Sequence, residues 1–174
     1  LDAKQIICLL IIWKEMWKIK NYTHFLGIDI AKDSFDAALL KNDAKKVEKT
    51  KHFKMNHKGF QSLTDWLANY VDPNKIYIGM ESTGSYHLTI LDFLVNNNYD
   101  VALINPKLIK SFIESRTLRN TINDNISAKH ISQFTKLNYH NLREVKKDSI
   151  TSLKPLVRER ENVNEAITQE KNRI

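Results

Sequence analysis

Residues 25–40 read FLGIDIAKDSFDAALL. The first half is an apolar run of strand length that ends on a single carboxylate, Asp29. After the charged turn at Lys32 and Asp33, an apolar strand pattern returns from Phe35 to Lys41. A run of this kind reads as a strand buried on both faces. A carboxylate at the end of such a strand needs a reason, and that reason decides both fold and function.

Working outward, His24–Ile30 and Phe35–Lys41 form the first two strands and Val47–Met55 a third, more polar one. The links are short, so the three form an antiparallel meander. Asn56 is placed to cap a helix running to Tyr70, with Phe60, Leu63, Trp66 and Leu67 on one face. Asp72-Pro73-Asn74 stops it. Lys75–Met80 is a compact strand and Ser85–Asn97 a helix with Leu88, Leu91, Leu94 and Val95 inward. Asp100–Ile104 is the next strand, and Asn105-Pro106 opens a helix to about Ser115. A polar loop spans Arg116–Asn123, followed by a helix over Asn125–Leu137. Strands that alternate with helices pair in parallel and carry the helices on the sheet. The expectation is an α/β mixed sheet with an antiparallel edge.

The 174 residues suffice for one compact domain. A net charge of +7 leans towards a polyanionic partner such as nucleic acid, with a generic basic protein as the alternative. One cysteine, Cys8, excludes an internal disulfide and fits a reducing compartment. The apolar run Ile6–Trp13 is too short for a bilayer, which needs about 20 residues. No small-residue cleavage site follows it. Residues 1–21 are therefore expected to lie outside the fold, residues 22–147 to form the domain, and residues 148–174 to begin a long helix with a weak heptad pattern.

Asp29 closes the first strand and Glu81 the fourth. In an open α/β sheet, sites gather at the carboxyl ends of strands. Adjacent strands lie about 5 Å apart, so acids at two such ends converge and repel unless a cation lies between them. Hard divalent ions take oxygen ligands of this kind and serve phosphodiester chemistry. For either acid alone, simple solvation is the better reading; for two at equivalent positions, a site is. Ser82, Thr83, Gly84 and Ser85 add hydroxyls and a flexible glycine at a helix start, which suits either a phosphate or ordinary capping. Asp124 and Ser127 are three apart at the start of the last helix and share its face. Taken alone, Asp124 reads as a helix cap.

GIDIAKDSFDAAL, MESTGSYH, ALINPKLIKSF, NDNISAK, LVRER and EKNRI follow one another in order. Together they resemble the N-terminal part of the DEDD-type insertion-sequence transposases, relatives of the Piv DNA invertase, over about residues 22–174. The resemblance implies a RuvC-like domain of ribonuclease H-like fold. It also implies four acids that bind a divalent metal, Mg2+ or Mn2+. Carried over by motif, the first three are Asp29, Glu81 and Asp124, and Ser127 stands where the fourth should be. A serine is a poorer ligand for a hard cation than a carboxylate. Family members also continue into a C-terminal domain that carries a proposed serine nucleophile, so a truncated chain of impaired activity is expected.

The resemblance further implies DNA as partner, a structured guide RNA, homo-oligomers of the full-length protein, and a cytoplasmic, DNA-associated protein with no membrane role. Residues offered for nucleic-acid backbones are Lys32, Ser82, Thr83, Lys107, Lys110, Arg116, Arg119 and Lys129. Two other readings stay open: a non-catalytic nucleic-acid-binding remnant, and an actin-like ATPase. The second is weakened because Ala31-Lys32-Asp33 lacks the Gly, Ser and Thr of a phosphate loop.

Overall fold

The computed structural model describes residues 20–82, 87–116 and 127–148, with isolated positions 155, 159, 163, 167, 169, 171 and 173 beyond them. The expectations for residues 1–19 and for most of the long C-terminal helix fall outside the described residues, as do Thr83, Arg119 and Asp124. Five strands are described: β1 (His24–Ile30), β2 (Ser34–Lys41), β3 (Lys49–Lys54), β4 (Ile76–Glu81) and β5 (Asp100–Ile104). They are accompanied by helices α1 (His57–Ala68), α2 (His87–Asn96), α3 (Pro106–Arg116) and α4 (Ala128–Asn138). The sheet order is β3-β2-β1-β4-β5. β1–β2 and β2–β3 are antiparallel, while β1–β4 and β4–β5 are parallel. This is the mixed sheet that the meander and the strand–helix alternation imply.

One face of the sheet carries the larger core. Leu26, Ile28, Phe35, Ala37, Leu39, Ile78 and Met80 meet Phe60, Leu63, Trp66 and Leu67 of α1 and Ile90, Leu91 and Leu94 of α2. The α1 face is the one its apolar spacing marks, and Asn56 Oδ1 accepts the Gly59 N–H at 2.9 Å as the cap. In α2 the buried set is His87, Ile90, Leu91 and Leu94, while Leu88 and Val95 are only partly buried. The run LTILDFLV is apolar almost all round, so its periodicity does not single out a face. Strand β3 begins at Lys49, two residues later than the apolar Val47 suggests.

The opposite face is organised in rows that cross the strands. Leu40, Phe25 and Tyr77 are successive strand partners in one row. The next row is Ala38, Gly27, Gly79 and Ala102, all small. Helix α4 lies on this small-residue trough. A Cβ at Gly27 would collide with the backbone of Ala128 and Ser132, and one at Gly79 with the Thr135 hydroxyl. At the far end of the helix, Tyr139 packs its ring on Phe25 and Tyr77, and Lys136 Nζ donates to the Ala44 carbonyl at 2.7 Å. Helix α4 therefore runs antiparallel to β1, its first turn at the end of the strand that carries Asp29. Ile104, Ile109, Ile113, Ile131 and Phe134 fill the space between β5, α3 and α4.

Candidate active site

The third row on the α4 face contains the acids. Asp29 faces Asp36 across β1–β2, and Asp36 faces His52 across β2–β3. Glu81 lies one residue beyond Met80, the partner of Ile28, and so emerges on the same face beside Asp29. Its backbone is held in the sheet: Glu81 pairs with Ile104, and the Ser82 N–H donates to the Ile104 carbonyl at 3.1 Å. Both carboxylates thus stand on the rigid ends of central, adjacent strands, half-buried, within electrostatic reach of each other.

Burial first, then the charges of Glu81 and Asp36, push the Asp29 carboxyl above the usual aspartate range, although the Ile30 N–H lowers it in part. Three acids on one patch of sheet, one of them raised in this way, form a concentration of negative charge. His52 Nδ1 donates to Asp36 Oδ1 at 2.9 Å and offsets part of it. The amino terminus of α4 adds its backbone N–H groups and positive dipole end on the same side.

Ser127 is the N-cap residue of α4, yet its hydroxyl makes no capping bond. Its Oγ lies 3.1 Å from His130 Nδ1 instead. Because Ala128 abuts Gly27, two residues before Asp29, the start of α4 is brought to the acid row. Of the acids singled out from sequence, Asp29 and Glu81 are brought together; Asp124 lies outside the described residues. Among the described residues, no group of three His, Cys, Asp or Glu side chains is placed to hold a metal ion. Two carboxylates are nevertheless a fitting partial set for Mg2+, which is held by one or two carboxylates plus substrate phosphates.

None of the described basic residues proposed from sequence stands in the acid row itself. Lys32 is exposed in the β1–β2 turn. Lys107 and Lys110 are exposed on α3, and Arg116 at its end stacks on the Phe112 ring at 4.6 Å. Lys129 is exposed in the first turn of α4. The Ser82 hydroxyl donates to the Ile104 carbonyl at 3.3 Å and is occupied structurally. Sequence reasoning missed Asp36 and His52 as members of the acid row. It also missed Gly27 as the contact that sets α4. The strand-pair register could have found the first two.

The profile of the DEDD transposases of the IS110 type, described as "Transposase", matches residues 26–174. The chain belongs to that transposase family. Two curated relatives are named "Pilin gene-inverting protein". The one from Moraxella bovis is 27% identical over 150 residues, and the one from Moraxella lacunata 26%. Each alignment covers 86% of this chain, and the chain spans 45% of the length of these relatives. Among solved structures, Thermus thermophilus RuvC matches with a TM-score of 0.52 at 8% identity, over 70% of this chain and 99% of RuvC. A second RuvC structure, in complex with a Holliday junction substrate, matches at 0.51 and 7%, over 71% of this chain and all of RuvC. At such identity the likeness establishes the fold, which is RuvC-like, and so ribonuclease H-like. The family match over residues 26–174 leaves the actin-like ATPase reading without support.

Proposed function

We propose that this chain is the nuclease part of a DNA transposase or recombinase, cutting and rejoining phosphodiester bonds at Asp29 and Glu81. The observation that carries the reading is the convergence of these two carboxylates at adjacent strand ends of a RuvC-like sheet. Support comes from the family, from the name of the curated relatives, which concerns gene inversion, and from a fold neighbour, RuvC, solved with a Holliday junction substrate.

Asp29 and Glu81, with Asp124, would hold Mg2+ or Mn2+, which when bound offsets the charge of the phosphate and of the attacking and leaving oxygens. The chain's own contribution is positional. The strand ends fix both carboxylates, and half-burial holds them in a medium where their charge counts. Lys107, Lys110, Arg116 and Lys129, with Lys32, Thr83 and Arg119, meet backbone phosphates. A guide RNA belongs to the proposal only through the family resemblance.

Incubating the purified chain with duplex and branched DNA in Mg2+ tests the reading. Asp29→Asn and Glu81→Gln should each lower strand cleavage by on the order of a hundredfold or more. Cleavage that survives both changes sinks it. The second reading, binding without cleavage, is favoured by one feature: Ser127 at the fourth-acid position. It is selected if the chain binds DNA, cleaves none, and Ser127→Asp restores nothing.

A further inference from the structure

The densest run of lysines in the described part of the chain, over residues 45–58, contains none of the residues offered above for nucleic acid. Strand β3, KTKHFK, carries three lysines and a histidine and no acid. Residues 45–58 hold six lysines against one acid, Glu48, a large share of the net +7. This strand is the edge of the sheet on the β1–β2 side, so among the described residues its outer backbone has no strand partner.

Its register ties it to the acids. Thr50, His52 and Lys54 point to the α4 face, because they pair with Ala38, Asp36 and Ser34. His52 stands in the acid row, two strand spacings, about 10 Å, from Asp29. That equals roughly three base-pair rises of a duplex. Lys54 closes the strand beside the β1–β2 turn, where the Met55 N–H donates to the Asp33 carbonyl at 2.9 Å, so Lys32 lies nearby. Gly59 packs its Cα against the Lys54 backbone, which brings Lys58 of α1 to the same corner. Lys49 and Lys51 leave on the other face and lie over the Tyr70 and Phe53 rings at 5.9 and 5.3 Å. Lys32, Lys51, His52, Lys54 and Lys58 are all exposed.

A lysine-rich edge also guards a sheet against pairing with other chains. That role requires no clustering at one end of the strand. The gathering of Lys54, Lys58 and Lys32 at the acid-bearing end, opposite the basic residues of α3 across the acids, does require an explanation.

We propose that β3 and the corner formed by Lys32, His52, Lys54 and Lys58 are a track for the phosphodiester backbone of the DNA that leads to Asp29 and Glu81. The inference rests on the proposed function for its destination and on charge and register for its course. DNA then crosses the acid row from the β3 edge to α3, with cations on both flanks. His52 covers the Asp36 carboxylate that would otherwise repel the strand.

The test is salt-dependent binding of duplex DNA by the 174-residue chain. The double variant Lys54→Gln with Lys58→Gln should lower the slope of log affinity against log salt by about two, near 0.9 for each phosphate contact. Affinity in ~100 mM salt should fall tenfold or more. The control, Lys75→Gln with Lys146→Gln, makes the same charge change at the amino ends of the strands and should stay within about twofold. An equal loss in both variants, or none in either, overturns the track. Loss of binding to an RNA of the same length with DNA binding intact also overturns it and assigns the surface to RNA. Asp29→Asn separates this result from the function itself. Cleavage retained in that variant defeats the nuclease reading, while the slope change still decides the track.

Discussion

Asp29 is the residue on which fold and chemistry pull in opposite directions. Its carboxyl titrates above the ordinary aspartate value of 3.8, first because it is buried and then because Glu81 and Asp36 are close. A carboxyl whose folded pKa lies above its unfolded one weakens the fold when ionised, and the penalty disappears as pH falls through that raised value. Asp29→Asn should therefore unfold at a higher temperature than the parent at pH 7 in the absence of divalent ions. The gap should close as pH drops below about 4, as thermal melts across pH will read; an Asn variant less stable at pH 7 contradicts the burial argument. Mg2+ should raise the melting temperature of the parent and not that of Asp29→Asn, since a ligand stabilises only the state that binds it. At Ser127 the opposite change applies. Ser127→Asp should strengthen Mg2+ binding roughly tenfold, about 1.4 kcal/mol, read from the same ion-dependent shift in melting. The two strand-end acids were legible because a carboxylate closing an apolar run stands out. Asp36 was not: it lies near the start of β2, exposed between buried Phe35 and Ala37, where an outward acid is ordinary, and only the pairing to Asp29 gives it meaning.

Among elements, α4 has the closest fit. It rests on Ala38, Gly27, Gly79 and Ala102, and its backbone leaves no room for a side chain at Gly27. Gly27→Ala should cost ~3 kcal/mol, at the upper end of what overpacking does, because the obstacle is helix backbone and cannot rotate away. It should also reduce cleavage beyond what unfolding explains, since the start of α4 shifts away from Asp29. Urea unfolding together with activity at a temperature where the variant is folded checks both. The antiparallel meander, the parallel pairing of the later strands and the inward face of α1 could be read from apolar spacing and link length; the place of β4 beside β1 could not. The face of α2 could not, because six of the eight residues from Leu88 to Val95 are apolar and no stripe stands clear. The close approach of α4 was hidden because a glycine in a strand signals proximity without naming the neighbour.

For the whole molecule, the pole opposite the acids is fastened by a polar clasp. Tyr22 OH lies 3.0 Å from Asp100 Oδ2 and 3.1 Å from Glu144 Oε1, and Lys20 Nζ pairs with Asp100 at 2.6 Å. Burial and the two carboxylates push the Tyr22 hydroxyl far above the tyrosine range, so it remains a donor. Tyr22→Phe should cost about 1–2 kcal/mol, because two carboxylates lose a shared donor in a partly buried place. Denaturant melts should show that loss with cleavage unchanged, the acids being at the other pole. No spacing in the sequence announces this clasp, whose partners are 78 and 122 positions apart. None of the described helices is long and apolar enough to cross a membrane.

The clasp has an architectural consequence. Tyr22 and Glu144 touch, so the two ends of the described fold meet at a single doorway, and that doorway faces away from the carboxylates. Residues 20–146, spliced as a cassette into a carrier polypeptide or joined end to end and reopened in a surface turn, should therefore still fold, as circular dichroism and thermal melts will read. Neither manipulation crowds the side on which a substrate must land.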